Sequence, residues 1–316
     1  MSFALNQIRR GDALGELRKF PEESIDCLVT SPPYWALRDY GVKGQLGLEK
    51  NFEEYIAKLC NIFDEVRRVL KDTGTCWVNL GDTYGGSNCG YGQTKGSSGF
   101  QNVTKQTYYP TSKMKPLTAG IMEKCLLQIP FRFTLEMVKR GWILRNTIIW
   151  WKPNCMPSSV KDRFTVDFEY VFFFVKNKKY YFETQYEPLQ DSSLLRAKYN
   201  SYSLKTDKGI HGGMNLKNQL KVFEKINKGE LAGRNKRCVW RISTRPFKGS
   251  HFAVFPEDLV ETPIKAGCPE NGIVLDPFMG SGTTAVVAKR FGRNYVGIEL
   301  NPKYIEMAMR RIKAVH

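Results

Sequence analysis

Metal-ligand patterns are missing from this sequence. Its eight cysteines (Cys27, Cys60, Cys76, Cys89, Cys125, Cys155, Cys238 and Cys268) include no CxxC pair, and there are only three histidines. That argues against a zinc site and against a disulfide framework, so no metal is expected and a reducing cytoplasm is the natural setting. Long apolar runs are missing too. The longest lies near Val171–Val175, far short of the roughly 20 residues that span a bilayer. Residues 1–10 carry no extended apolar stretch, which argues against a secretory leader. Acidic residues are scarce beside basic ones: 31 Asp and Glu against 48 Lys and Arg leave a net charge of +17. Such an excess favours a polyanionic partner, because neutralising phosphates releases condensed counterions.

What remains is the composition of a globular protein. Hydrophobic residues make up 42% of the 316 and charged residues 25%, enough apolar material for a buried core. Strand-like and helix-like segments alternate without repeats. This predicts an α/β fold, a doubly wound and mostly parallel sheet with helices on its faces. Ile25–Thr30 reads as a buried strand. Phe52, Ile56, Leu59, Phe63, Val66 and Leu70 recur at helical spacing and predict a helix over 52–70. Strands are predicted at Thr75–Leu80 and Trp142–Trp151, with a helix between them opened by Pro130 and ended by Gly141. Glu169–Lys176 and Tyr180–Glu183 suggest a hairpin around Asn177–Lys179. Near the C-terminus follow a strand at Ile273–Asp276, a Gly-rich turn, a helix to Arg290 and a strand at Tyr295–Glu299. A last helix is capped by Asn301, with Pro302 in its first position.

Two stretches break this rhythm. Residues 83–118 are rich in Gly, Ser, Thr and Tyr, carry Lys95, Lys105, Lys113 and Lys115, and hold no acid. A structureless loop of that length is unusual in a compact domain, so it is either functional or mobile. Residues 190–248 are polar and basic (Lys205, Lys208, Lys217 and Arg237 among them), with Tyr199, Tyr202 and Phe223 interleaved. They read as an inserted DNA-facing module, the alternative being a solvated loop.

Asp276-Pro-Phe-Met-Gly280-Ser-Gly282-Thr283-Thr284 lies between a predicted strand and a predicted helix. Glycines there allow a tight turn and let a ligand approach without a Cβ in its way. Glu299 closes the next strand, where a carboxylate can grip ribose hydroxyls. A dinucleotide fingerprint would place a third glycine where Ala285 stands, and a methionine-based cofactor has no pyrophosphate to seat. A plain strand–helix turn is the other reading. Earlier in the chain, Thr30-Ser31-Pro32-Pro33-Tyr34-Trp35 directly follows the strand Ile25–Val29, at the carboxyl end where open α/β sheets bind ligands. The two prolines fix φ and remove two N–H donors, leaving carbonyl acceptors beside an aromatic wall. That suits a planar heterocycle bearing an NH2 group; a surface Pro-Pro turn is the alternative.

At these residues the sequence resembles the amino-group DNA methyltransferases of restriction–modification systems. Their catalytic motif is Ser/Asn/Asp-Pro-Pro-Tyr/Phe, and their cofactor motif contains Phe-x-Gly-x-Gly. With the first motif at 31–34 and the second at 276–282, the order resembles the circularly permuted β group. The resemblance covers almost the whole chain and takes in Gly11–Leu14, Gly74–Asp82, Trp150–Asn154 and His251–Pro256. It implies the S-adenosylmethionine-dependent methyltransferase fold, S-adenosyl-L-methionine as cofactor and double-stranded DNA as partner. It also implies a catalytic half at 1–189, a target-recognition insert at 190–248 and a cofactor-binding half at 249–316. Carried over position by position, Phe278, Gly280 and Gly282 shape the cofactor pocket, with Thr30, Asp276, Thr283 and Thr284 beside it. Glu299 holds the ribose, Asp12 accepts from the adenine amine, and Phe252, Phe255 and Pro256 cover the methionine end. Ser31 and the Pro32 carbonyl accept from the target amine, Pro33 completes the turn, and Tyr34 stacks on the base. A cognate restriction endonuclease is an implied partner and a membrane is not. Monomer and homodimer both stay open.

The implied reaction is direct methyl transfer to an amine whose lone pair is delocalised into the ring. Two accepted hydrogen bonds favour a more pyramidal nitrogen, aimed at the sulfonium methyl from about 3–3.5 Å. The base must first leave the duplex. In the family, Ser-Pro-Pro-Tyr leans to cytosine N4 and Asp-Pro-Pro-Tyr to adenine N6, so cytosine is expected and adenine is the alternative. Carbon-5 methylation needs a cysteine nucleophile on a Pro-Cys pair, and the chain has only the reversed Cys268-Pro269. Two more distant classes stand behind these. One is an RNA or protein-glutamine amino methyltransferase, opposed by the basic insert and the permuted order. The other is a catalytically silent DNA-binding protein, opposed by the intact motifs.

Overall fold

The computed structural model describes residues 4–86, 121–192, 195, 225–226, 228, 233–245 and 255–315. Its chain forms two compact units, Met1–Glu183 with Cys238–His316, and Thr184–Arg237. In chain order the first unit begins with β1 (Gln7–Arg10), α1 (Ala13–Leu17), β2 (Ile25–Thr30), α2 (Phe52–Val69) and β3 (Leu70–Leu80). It continues through α3 (Ile129–Lys139), β4 (Ile143–Trp151) and β5 (Phe168–Val175). The second unit holds an antiparallel pair, β6 (Tyr186–Glu187) and β7 (Arg234–Asn235). The chain then returns to the first unit with β8 (Val239–Arg241), α4 (Glu257–Gly267), β9 (Ile273–Asp276), α5 (Thr283–Arg290), β10 (Asn294–Glu299) and α6 (Pro302–Lys313).

One eight-stranded sheet runs β1-β10-β9-β2-β3-β5-β4-β8. The five strands from β1 to β3 are parallel, and β5 is antiparallel to both its neighbours. The expected mostly parallel α/β fold is therefore present, and so is the permutation. β2 lies beside β9, with Cys27 opposite Val274 and Leu28 opposite Leu275. A strand near the start of the chain thus joins one near its end in the middle of the sheet.

The pleat explains why these strands read as continuous apolar runs: both faces are covered. Alternate side chains enter opposite cores. Leu28, Val78, Phe172 and Phe174 pack with α1, α2 and α3. Cys27, Val29, Trp77 and Phe173 pack with α4, α5 and α6. In the second core the Trp77 and Phe173 rings stack with centroids 3.9 Å apart. Helix α2 starts where Asn51 accepts from the Glu54 N–H at 2.8 Å, and it buries Tyr55, Leu59, Phe63 and Val66 along one stripe.

Three expectations change. β3 begins at Leu70, directly after α2, rather than at Thr75. The hairpin at 169–183 does not form. The Tyr181 N–H donates to the Thr73 carbonyl and the Glu183 N–H to the Ala266 carbonyl, each at 2.8 Å, so these donors are not free to pair back onto β5. The basic stretch 190–248 is not one insert, because Val239–Arg241 pairs with β4, Ile149 opposite Val239. Most of 83–118 and of 190–248 lies outside the described residues. No helix among the described residues is long and apolar enough to cross a membrane, and none of their His, Cys, Asp and Glu side chains group in a way that could hold a metal ion.

Candidate active site

Four parallel strands deliver the motif residues to one edge of the sheet. β1 leads into Gly11-Asp12, β2 into Ser31 and β9 into the Gly-rich turn, and β10 ends at Glu299. A cavity of about 440 Å³ opens there. Asp12, Phe255, Phe278, Gly280, Thr283 and Glu299 line it, as do Ser31 and Pro33 of the proline turn. Glu299 Oε2 accepts from the Gly280 N–H at 2.7 Å, and its Oε1 accepts from Asn301 N–H at 2.8 Å. Burial raises its pKa, opposed by those backbone bonds. Asp12 caps α1, accepting from Gly15 N–H at 2.8 Å. Two aromatic walls have no motif signature. Tyr40 and Tyr304 line the cavity with their rings edge to face, centroids 6.4 Å apart.

A second cluster surrounds the proline turn. The Tyr34 hydroxyl lies 2.7 Å from Glu169 Oε2 and 3.0 Å from Asn79 Oδ1. Ser31 Oγ is 3.2 Å from the same Asn79 oxygen. Lys152 pairs with the other oxygen of Glu169, with its ammonium 4.4 Å from the centre of the Trp150 ring. Burial first, and then the Glu169 charge, push the Tyr34 pKa well above its usual value. Tyr34 needs Gly81 beneath it: a Cβ there would come within 2.5 Å of the tyrosine ring. Tyr55 holds the turn from below, donating to the Pro33 carbonyl at 2.9 Å.

Residues 25–310 match the N6/N4 methyltransferase family, described as DNA methylase. The type II methyltransferase M.Cfr9I of Citrobacter freundii is 40% identical over 304 residues, covering 96% of this chain and 86% of the relative. The chain belongs to this DNA methylase family. The solved PvuII DNA methyltransferase, described as cytosine-N4-specific, aligns with a TM-score of 0.62 at 21% identity over 98% of this chain and 87% of its own. A DNA modification methylase of Thermus thermophilus, solved with S-adenosyl-L-methionine, aligns with a TM-score of 0.57 at 22% identity, covering 98% of this chain and 94% of its own. The protein is a DNA methyltransferase of the amino-group class, acting on double-stranded DNA with S-adenosyl-L-methionine as cofactor.

The cavity of this methyltransferase fits that cofactor. A carboxylate for hydroxyls (Glu299) and aromatic walls for a purine (Tyr40, Phe278 and Tyr304) share one space. Several residues expected at or beside the cofactor pocket do not themselves line the cavity. Thr30, Asp276 and Thr284 are three of these. They form a buried cluster behind it, in which Thr30 and Thr284 donate to the two Asp276 oxygens at 2.6 and 2.7 Å. The Phe278 N–H adds a bond of 3.0 Å to Asp276, so this cluster shapes the turn rather than the ligand wall. Gly282 also lies outside the lining. Its φ is +83°, and a Cβ there would meet the Ala308 Cβ of α6 at 2.7 Å. The left-handed backbone and the packing of α6 both require that glycine. Pro32, Tyr34 and Pro256 lie outside the lining; Pro256 is the buried N-cap of α4. Phe252 lies outside the described residues. Cys268 is buried, and burial raises its thiol pKa, the opposite of what a nucleophile needs.

Sequence reasoning missed Tyr40, Asn79, Lys152, Glu169 and Tyr304. Asn79 lies inside the Gly74–Asp82 family segment and Lys152 inside Trp150–Asn154. Tyr40, Glu169 and Tyr304 carry no local signal.

Proposed function

We propose that this protein methylates the exocyclic N4 amine of a flipped-out cytosine at a specific duplex sequence. The carrying observation is that Ser31, with Pro33 of the same turn, lines the cavity that holds Gly280 and Glu299, so the serine acceptor and the cofactor residues share one space. S-adenosylmethionine supplies an electrophilic methyl on sulfur. Glu299 accepts ribose hydroxyls, Asp12 the adenine amine, and Phe255 covers the methionine end. Ser31 Oγ and the Pro32 carbonyl accept the two amine hydrogens; Tyr55 occupies the Pro33 carbonyl, which leaves that of Pro32 to the substrate. The Tyr34 ring packs against the base. Serine at position 31, rather than aspartate, supports cytosine over adenine, and cytosine N4 is also the specificity in the description of the PvuII enzyme. The basic segment ahead of β8, residues 190–237, reads the target sequence. The enzyme works in the cytoplasm beside a cognate endonuclease, as a restriction–modification pair requires.

Methyl transfer from labelled cofactor to duplex DNA, followed by nucleoside mass spectrometry, tests the reading. N4-methylcytosine is expected, and N6-methyladenine would replace it with the adenine reading. Ser31→Ala and Tyr34→Ala should lose most turnover while still binding cofactor. Near-normal methylation by both would remove the proline turn from the mechanism. Gly280→Val should abolish calorimetric cofactor binding, because a branched side chain would fill the ligand space.

A further inference from the structure

Asn79 stands at the centre of the cluster around the proline turn, and its neighbours leave its amide one orientation. Nδ2 lies 3.1 Å from Glu169 Oε2 and 3.0 Å from the Tyr170 carbonyl. Both are acceptors, so the amino group must face them. Oδ1 is thereby turned toward the hydroxyls of Ser31 and Tyr34, at 3.2 and 3.0 Å. Each hydroxyl has one proton to give. That of Tyr34 has the nearer and stronger acceptor in Glu169 Oε2, at 2.7 Å. The proton of Ser31 goes to Asn79 Oδ1, which leaves both lone pairs of Ser31 Oγ for an incoming N–H. An Asn79 amide turned the other way would set its NH2 against Ser31, and the serine proton would then face the substrate amine.

We propose that Glu169 is a positioning residue of the methyltransferase: paired with Lys152, it locks the Asn79 amide so that Ser31 meets the substrate amine as an acceptor. Glu169 does not line the cofactor cavity; it also accepts from the Tyr34 hydroxyl, and the double variant with Asn79 separates that route from the one through Asn79 and Ser31. The proposal rests on the reading of Ser31 as an amine acceptor.

The test measures single-turnover methylation of duplex DNA at saturating cofactor, with cofactor affinity measured by calorimetry. Glu169→Gln should bind cofactor within about twofold of the parent and transfer methyl at least about tenfold more slowly, because a glutamine amide can donate to Asn79 and free its orientation. The double variant Glu169→Gln/Asn79→Ala should be no more than about twofold slower than Asn79→Ala alone, because both changes break one relay. Parental rates from Glu169→Gln would overturn the proposal, as would a double loss equal to the product of the single losses. Ser31→Ala separates the two levels. If it is slow while Glu169→Gln is fast, the relay fails and the Ser31 assignment stands; if Ser31→Ala is fast, the assignment itself fails and takes the relay with it. If Glu169→Gln loses cofactor binding, Asn79→Asp decides. A protonated aspartate can donate to Glu169 and still accept from Ser31, so it should restore at least about fivefold of the rate lost in Asn79→Ala. An Asn79→Asp enzyme as slow as Asn79→Ala would reject the relay.

Discussion

Asp276 carries a carboxyl group in a place where charge is costly. Burial raises its pKa from the usual 3.8 to about 6, against bonds from Thr30, Thr284 and the Phe278 N–H that lower it. Between those two pH values the folded protein holds a proton that the unfolded chain has released. Its contribution to stability is therefore full below about pH 4, falls as pH rises, and levels off above about pH 6. Asp276→Asn lacks this dependence. Its stability relative to the parent should improve by roughly 2–3 kcal/mol across that interval in urea titrations; a difference that stays flat with pH would show that Asp276 ionises as it does in water. Gly282 offers a steric counterpart. Gly282→Ala must place a Cβ 2.7 Å from Ala308 at a φ of +83°. It should cost about 1–3 kcal/mol by the same titration, and Ala308→Gly should recover part of that loss. The sequence marks a glycine at 282, but the neighbour that demands it is on α6, and no local pattern reports it.

The cofactor end of the molecule is held by helices rather than by the sheet alone. Arg311 of α6 donates to the Ser281 carbonyl at 2.9 Å, to Ser281 Oγ at 3.0 Å and to Thr283 Oγ1 at 2.9 Å. Its other nitrogen donates to Glu257 of α4 at 3.0 Å. A planar fork makes these bonds together and an ammonium cannot. Arg311→Lys should therefore loosen the Gly-rich turn, weakening cofactor binding about tenfold in calorimetry, equivalent to about 1.4 kcal/mol. The succession β9, turn, α5, β10 was legible because its signals are local: an apolar run, two glycines, a helical stripe and a closing acid. The cluster at Asn79, Lys152 and Glu169 was not. Its members come from β3, the end of β4 and β5, and they meet because pairing sets Leu80 opposite Tyr170 and Trp150 opposite Glu169. The misread hairpin has the same origin, since the partners of Tyr181 and Glu183 are Thr73 and Ala266, far away in the chain.

At the scale of the whole molecule, the net charge of +17 should appear as a salt dependence. DNA affinity should fall linearly on a log–log plot against salt, with a slope set by the number of phosphates neutralised. Replacing Lys205, Lys208 and Lys217 together by Gln should flatten that slope and weaken binding to every sequence alike. A change confined to the target sequence would place base reading, not phosphate contact, at those lysines. The permuted sheet has a consequence in time. β2 finds its partner β9 through Cys27↔Val274 and Leu28↔Leu275, and that partner leaves the ribosome long after β2 itself. Until then the proline turn at Ser31 exists without Gly280 and Glu299, with which it lines the cavity, and one edge of a central apolar strand has nothing to pair with. An unfinished copy is thus chemically silent and prone to aggregate. A chain cut before Ile273 should neither take up cofactor nor stay dispersed. A cell making this enzyme is therefore exposed to its activity only from completed molecules.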